Sequence, residues 1–226
     1  MTKKPSGIIF DLDGTLVDSA ADLTAALNHV LKASGRAEMS LSHVRHLVGD
    51  GARALIIKGF SETGALPDAA EIDIILAEYL TYYAENISAK SIIFPGAIQV
   101  IEKLAEKNIP LGLCTNKVIH LADKLMTEIG LADYFTTIIG GDSFDYQKPD
   151  PRHITGTLDK MNSVRPQAIM VGDTANDIIA AQKAGLPVIA VSFGYSKIPI
   201  SAFNPDIIID HYDEFLAAVD KISEKF

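Results

Sequence analysis

Two hydrophobic rhythms divide the chain. Short apolar runs occur at Ile8-Ile9-Phe10, Pro110 to Thr115, Thr136 to Ile139, Ala168 to Val171, Pro187 to Val191 and Asp206 to Ile209. Their length is that of strands, and their nearly unbroken hydrophobicity suits strands buried on both faces of a parallel sheet. Between them, apolar residues recur at helical spacing. Ile98, Ile101 and Leu104 mark a helix from Ala97 to about Lys107, and Val118, Leu121, Ala122, Leu125, Met126 and Ile129 mark another that closes at Gly130. Further helices are expected from Asp150-Pro151, from Asn176 to Ala184 and from Asp213 to about Glu224. Strands alternating with helices predict an α/β fold with a doubly wound parallel sheet and right-handed crossovers.

The alternation is interrupted once, directly after the first strand. Leu23, Ala26, Leu27, Val30 and Leu31 share one helical face that ends near Gly35. Val44, Leu47 and Val48 belong to a short second helix, the turn Gly49-Asp50-Gly51 leads to a third from Arg53 to Phe60, and Pro67-Asp68 opens a fourth carrying Ile72, Ile75, Leu76, Tyr79, Leu80 and Tyr83. No strand is expected from residue 18 to about 85. The predicted organisation is therefore a core of residues 1–17 and 86–226 with an α-helical insertion over 18–85. Tyr79, Tyr82 and Tyr83 read as packing within that bundle.

The chemistry begins where the first strand ends, in Asp11-Leu12-Asp13-Gly14-Thr15. Ligands of open α/β sheets bind at the carboxyl ends of the strands. Two carboxylates placed there repel each other unless a cation joins them, and all-oxygen donors point to a hard one, Mg²⁺ foremost. Three later strand ends also carry polar groups. Thr115-Asn116 offers a hydroxyl and a backbone N–H to phosphate oxygens, although a Thr at that junction also serves as a plain helix cap. Lys148, stiffened by Pro149, is a point charge suited to a phosphoryl group, although a lysine is ordinarily solvated. Val171-Gly172-Asp173-Thr174-Ala175-Asn176-Asp177 repeats the first pattern, an apolar strand emptying into glycine and carboxylates.

Taken in order, the D-x-D-G-T stretch at Asp11, the Thr at 115, the Lys at 148 and the G-D-x-x-x-D at Asp173 and Asp177 resemble the four motifs of haloacid dehalogenase superfamily phosphatases. The likeness continues through Val17-Asp18-Ser19-Ala20, Leu47 to Arg53 and Gly140-Gly141-Asp142-Ser143, which look like bacterial phosphoglycolate phosphatases. The resemblance implies a Rossmann-like core with a cap inserted after the first strand, and Mg²⁺ held by Asp11, Asp173 and the carbonyl of Asp13. It implies Asp11 as nucleophile through an aspartyl phosphate and Asp13 as general acid and base. Lys148, Thr115 and Asn116 would hold the phosphoryl oxygens, and Asp177 would brace Lys148 or a metal-bound water. The implied substrate is 2-phosphoglycolate, with Arg53 on the cap taking its carboxylate. Alternatives are a sugar-phosphate phosphatase or phosphomutase on the same scaffold, or a metal-binding regulator without turnover. Lys117-Val118 departs from the usual Lys-Pro, which reads as a shifted helix start. The stretch from Gly194 to Ile200 has no legible role.

Composition narrows the partners. A formal charge of −9 over 226 residues argues against nucleic acid and anionic membranes, and no apolar run reaches the ~20 residues of a membrane span. Met1-Thr2-Lys3-Lys4-Pro5 is basic but broken by proline, unlike a secretory leader. Cys114, the single cysteine, excludes an internal disulfide and suits the cytoplasm. His43 and His46 share a helix face but have no third zinc ligand nearby. The expected partner is a small phosphorylated metabolite; oligomeric state is left open.

Overall fold

The computed structural model describes residues 4–165 and 167–226; the basic start, residues 1–3, lies outside them. The first strand, β1 (Gly7–Phe10), leads through a turn to the two-residue β2 (Val17–Asp18) and then to α1 (Ala20–Ala33), α2 (Leu41–Val44), α3 (Ala52–Thr63) and α4 (Ala69–Glu85). The chain returns through β3 (Ile92–Ile93) and α5 (Ala97–Glu106). It then alternates through β4 (Leu111–Cys114), α6 (Ile119–Glu128), β5 (Thr137–Ile139), α7 (Pro151–Met161), β6 (Ala168–Gly172), α8 (Ala175–Ala184), β7 (Val188–Val191), β8 (Ile207–Ile209) and α9 (Phe215–Ser223).

Among the described residues, six strands form one sheet in the order β5-β4-β1-β6-β7-β8, and every pair in it is parallel. The chain winds outward from β1 to β5, then returns to β6 on the other side of β1. That reversal opens a crevice at the carboxyl end of β1, where the two directions of winding part. Strand alternation sorts the core into two layers. Ile8 and Phe10 pack with Leu113, Val171, Leu125 and Phe215 on one face, while Ile9 packs with Met170, Val188, Leu158 and Ile178 on the other. All four residues of β1 are buried, as its unbroken hydrophobicity requires.

The helices of the insertion cohere through the faces that the periodicity picks out. Leu23, Leu27, Val30 and Leu31 of α1 pack with Ile56 and Phe60 of α3 and with Ile72, Tyr79 and Tyr83 of α4 in the apolar cluster that also holds Ile8 and Phe10. Asp68 caps α4 by accepting from the N–H of Glu71, whose side chain returns a bond to the N–H of Asp68. Two details differ from expectation. Val100 rather than Ile98 joins Ile101 and Leu104 in the core, because the buried stripe of α5 runs through Ala97, Val100, Ile101 and Leu104 and Ile98 lies about 100° round the helix from its centre. The two passages between sheet and insertion also pair as a short antiparallel ribbon, Val17 with Ile93 and Asp18 with Ile92. Two-residue strands leave no periodicity to read in the sequence.

Candidate active site

Gly14 turns the chain out of β1 with a φ of 84°, a left-handed conformation that glycine adopts without steric cost. Asp11 and Asp13 are thereby brought to the crevice, together with Thr115 and Asn116 after β4, Lys148 before α7, and Asp173 and Asp177 beyond β6. Lys148 lies at the bottom. Its ammonium is 2.8 Å from Asp11 Oδ1 and 2.7 Å from Asp177 Oδ1, and it donates to the carbonyl of Cys114 at 2.5 Å. Three acceptors therefore use the three donors of a lysine that is 2% exposed. Burial disfavours its charge, but Asp11 and Asp177 outweigh that and hold the ammonium above its ordinary range.

Asp177 is fully committed. Its Oδ1 takes Lys148, and its Oδ2 accepts from the N–H and the hydroxyl of Thr174, closing the cap of α8. Asp173, also fully buried, accepts from Thr15 Oγ1 at 2.9 Å and from the N–H of Tyr195 at 2.7 Å. A β-carbon on Gly194 would fall 2.2 Å from that of Asp173, so only glycine lets the Tyr195 loop come this near.

One oxygen from each of Asp11, Asp173 and Asp177 lies within 4.8 Å of the other two. These three buried carboxylates face one lysine, which leaves two negative charges without a counter-ion. Burial pushes Asp11 up to about 6 against the pull of Lys148. Burial, with Asp177 and Asp11 adding repulsion, pushes Asp173 well above the carboxylate range. A divalent cation on oxygen donors removes that deficit, and Asp11 and Asp173 are the carboxylates whose oxygens are not both spent on a lysine or a helix cap. The residues present fit a hard metal such as Mg²⁺.

Asp13 is held apart from this cluster. Ser19 Oγ donates to its Oδ1, and Lys117 Nζ lies 2.9 Å from Oδ1 and 2.8 Å from Oδ2. Lys117 is itself buried; it donates to the hydroxyl of Tyr83 at 2.8 Å and sits 4.6 Å from the centre of that ring. The substitution-like Lys117-Val118 is thus a cation aimed into the site, and its position next to Thr115-Asn116 was the available signal. Thr115 and Asn116 line the same cavity. Asn116 Nδ2 donates to the carbonyls of Gly49 on the insertion and of Lys148, each at 2.9 Å.

The cavity lies between the strand ends and the helical insertion and encloses about 50 Å³. Asp11, Asp13 and Lys117 form part of its wall, opposed by Leu23, Val48, Leu55, Tyr79 and Tyr83. Arg53 is not part of it. Its guanidinium turns outward to Asp73 of α4 and is about half exposed, while the turn Gly49-Asp50-Gly51 before it docks against Asn116 and Asn176. The structure thus places Arg53 outside the cavity lining, paired with Asp73. The tyrosines are also more than packing, since Tyr79 and Tyr83 face the cavity while Tyr82 stacks on His29 at the periphery. His43 pairs with Glu62, and His46 reaches the carbonyl of Tyr195, so the two histidines go separate ways.

Tyr195 gives the unassigned 194–200 stretch a structural place. Besides its N–H on Asp173, its hydroxyl accepts from the N–H groups of Ser19 at 2.8 Å and Ala20 at 3.0 Å and donates to Asp18 Oδ1 at 2.9 Å. The start of α1 is capped by a residue from the loop after β7. The pattern of haloacid dehalogenase-like hydrolases matches residues 8–191. The chain belongs to this family. Within the family, this hydrolase is 41% identical over 227 residues to a phosphoglycolate phosphatase of Agrobacterium fabrum, covering 100% of this chain and 96% of that one. A phosphoglycolate phosphatase of Mesorhizobium japonicum is 40% identical over 91% of each chain. The crystal structure of a predicted phosphoglycolate phosphatase from Haemophilus somnus superposes with a TM-score of 0.91 at 30% identity, over 96% of this chain and 99% of that one. The family match ends at Val191, so this hydrolase carries Tyr195 just beyond the matched residues. No helix among the described residues is long and apolar enough to cross a membrane.

Proposed function

We propose that the chain is a Mg²⁺-dependent phosphatase that hydrolyses 2-phosphoglycolate to glycolate and inorganic phosphate. The phosphatase chemistry is that of the haloacid dehalogenase type, and relatives named for this activity match along the whole chain. The observation that carries the reading is the buried Asp11-Lys148-Asp177 chain of ion pairs with Asp173 beside it, a site two charges short of balance.

Asp11, Asp173 and the backbone carbonyl of Asp13 would hold the ion, which when bound neutralises phosphoryl oxygens that would otherwise repel Asp11. Asp11 attacks phosphorus in line, forming an aspartyl phosphate as the bond to the leaving alcohol breaks. Asp13 gives a proton to the departing oxygen and then takes one from the water that attacks the aspartyl phosphate. That second step returns Asp11 and releases phosphate. Lys148 and the Thr115 hydroxyl, with the N–H groups of Leu12 and Asn116, bind the equatorial oxygens. Asp177 keeps Lys148 charged and aimed.

The helical segment acts as a cap that moves about the β2–β3 ribbon and shuts water out. A small metabolite and a lone reduced cysteine fit a cytoplasmic enzyme. The test is release of inorganic phosphate from 2-phosphoglycolate by purified protein with Mg²⁺. No release above that from glucose 6-phosphate would overturn the substrate.

A further inference from the structure

The cavity holds an unmet hydrogen-bond donor. Among the described residues, the hydroxyl of Tyr79 and the Oδ1 of Asn116 are the buried side-chain polar atoms with no hydrogen-bond partner, and both residues line the cavity. A buried hydroxyl without a partner has lost its bonds to water with nothing in return, so such a group commonly marks a place for a ligand or an ordered water. Tyr79 is 1% exposed and sits one helical turn before Tyr83 on α4, with the two rings stacked at 6.1 Å. Tyr83 in turn fixes Lys117, whose ammonium is 2.8 Å from its hydroxyl. An orphan O–H and a buried ammonium thus line one cavity; Lys117 touches both oxygens of Asp13 and the Tyr83 hydroxyl, and Lys148, which is not among the cavity's lining residues, gives its three donors to Asp11, Asp177 and the Cys114 carbonyl.

We infer that Tyr79 and Lys117 form the subsite for a carboxylate on the leaving alcohol. Tyr79 donates to one carboxylate oxygen, and Lys117 turns part of its charge from Asp13 to the acid when Asp13 carries the proton for the leaving oxygen. The ligand class is a phosphomonoester of a short 2-hydroxy acid. The apolar walls from Leu23, Val48 and Leu55 leave the acid no other cationic neighbour in the cavity. Tyr83 is a positioning residue that holds Lys117 between Asp13 and the incoming acid. Arg53, paired with Asp73 outside, takes no part. The inference rests on the phosphatase reading and adds the residues that choose the substrate.

The test compares 2-phosphoglycolate with ethyl phosphate, which has a methyl in place of the carboxylate. Tyr79→Phe should raise the ratio of their KM values, phosphoglycolate over ethyl phosphate, about tenfold, the size of a lost hydrogen bond to a charged group. Lys117→Gln should raise the same ratio further, and Arg53→Ala should not move it. Because the Tyr79 hydroxyl has no partner to lose, Tyr79→Phe should melt at or above the wild-type temperature, which separates binding from folding. Calorimetric titration of 2-phosphoglycolate into Asp11→Asn, with and without Tyr79→Phe, gives the same comparison without turnover. An unchanged ratio in Tyr79→Phe and Lys117→Gln, with wild type hydrolysing both esters, overturns the subsite alone. Failure of wild type to hydrolyse either ester overturns the phosphatase reading instead.

Discussion

Lys117 and Asp13 form a two-pronged ion pair, Nζ lying 2.9 Å from one carboxylate oxygen and 2.8 Å from the other. With Ser19 Oγ on the same carboxylate, Asp13 is fixed from both sides, one partner arriving from β4 and the other from the start of the cap. These contacts fix the direction in which the carboxylate faces the edge of the phosphoryl site. It is separate from the Asp11-Asp173-Asp177 cluster, so the two aspartates of the first motif can be tested apart.

Asp13→Asn should slow ethyl phosphate hydrolysis by about 10²–10⁴-fold, the usual share of a general acid. The loss should be much smaller for p-nitrophenyl phosphate, whose leaving group needs no proton. Steady-state rates for the two esters decide this, and equal losses would remove Asp13 from the role of leaving-group acid.

Asp11→Asn should lose at least about a thousandfold in turnover, since an amide neither attacks phosphorus nor balances a divalent ion. The same change should raise the melting temperature measured in EDTA. Burial already pushes Asp11 up to about 6, and neutralising it relieves repulsion with Asp177 and Asp173. A variant that is inactive and less stable in EDTA would mean that the substitution damages the fold.

Mg²⁺ should raise the melting temperature of wild type through binding to the native state, and should do so far less in Asp173→Asn. Ca²⁺ should compete without supporting turnover, because its longer and more numerous oxygen contacts draw both Asp11 oxygens away from in-line attack. Full activity in excess EDTA would refute the metal requirement.

The sheet was legible because buried parallel strands leave continuous apolar runs, and the acidic strand ends because glycine beside a carboxylate is readable at either motif. Lys148 and Asp177 came with the motif pattern, but the bond between them joins residues 29 apart and needed the fold. Lys117 was visible as a residue and not as a site, since nothing local distinguishes a buried lysine from a solvated one. Tyr79 and Tyr83 were hidden by their own periodicity: helical spacing says which face is buried, not that a cavity opens there. Arg53 was legible as a cation after a glycine turn, while its pairing with Asp73, 20 residues on, needed the fold.

Tyr195→Phe should loosen the junction of cap and core. The hydroxyl uses both its acceptor sites and its proton, on Ser19, Ala20 and Asp18, and Phe193 beside it packs at 4.7 Å on Phe94 after β3. Its removal leaves the Ser19 N–H without a partner and the Ala20 N–H with only the 3.4 Å contact to Asp18 Oδ1, so hydrogen exchange over residues 17–23 should quicken about tenfold or more. The N–H on Asp173 is backbone and survives the change. Unchanged exchange at 17–23 would show that the hydroxyl is dispensable there.

His153 should make stability fall in mild acid. The buried ring accepts from the N–H of Lys148 at Nδ1, so its Nε2 proton goes to the carbonyl of Gly140, 3.1 Å away. Burial, with the charge of Lys148 adding to it, lowers its pKa from 6.5 to about 4. Between those values the unfolded chain binds a proton that the native state refuses. The contribution is therefore complete above pH 6.5 and is lost as the pH falls towards 4. Asp11 and Asp173, whose pKa values are raised, push the other way, and their effect cancels when wild type is compared with His153→Gln. Urea unfolding without metal should show wild type losing about 2 kcal/mol more than His153→Gln between pH 7.5 and 5. Parallel losses in the two proteins would mean that the ring takes up its proton without leaving the fold.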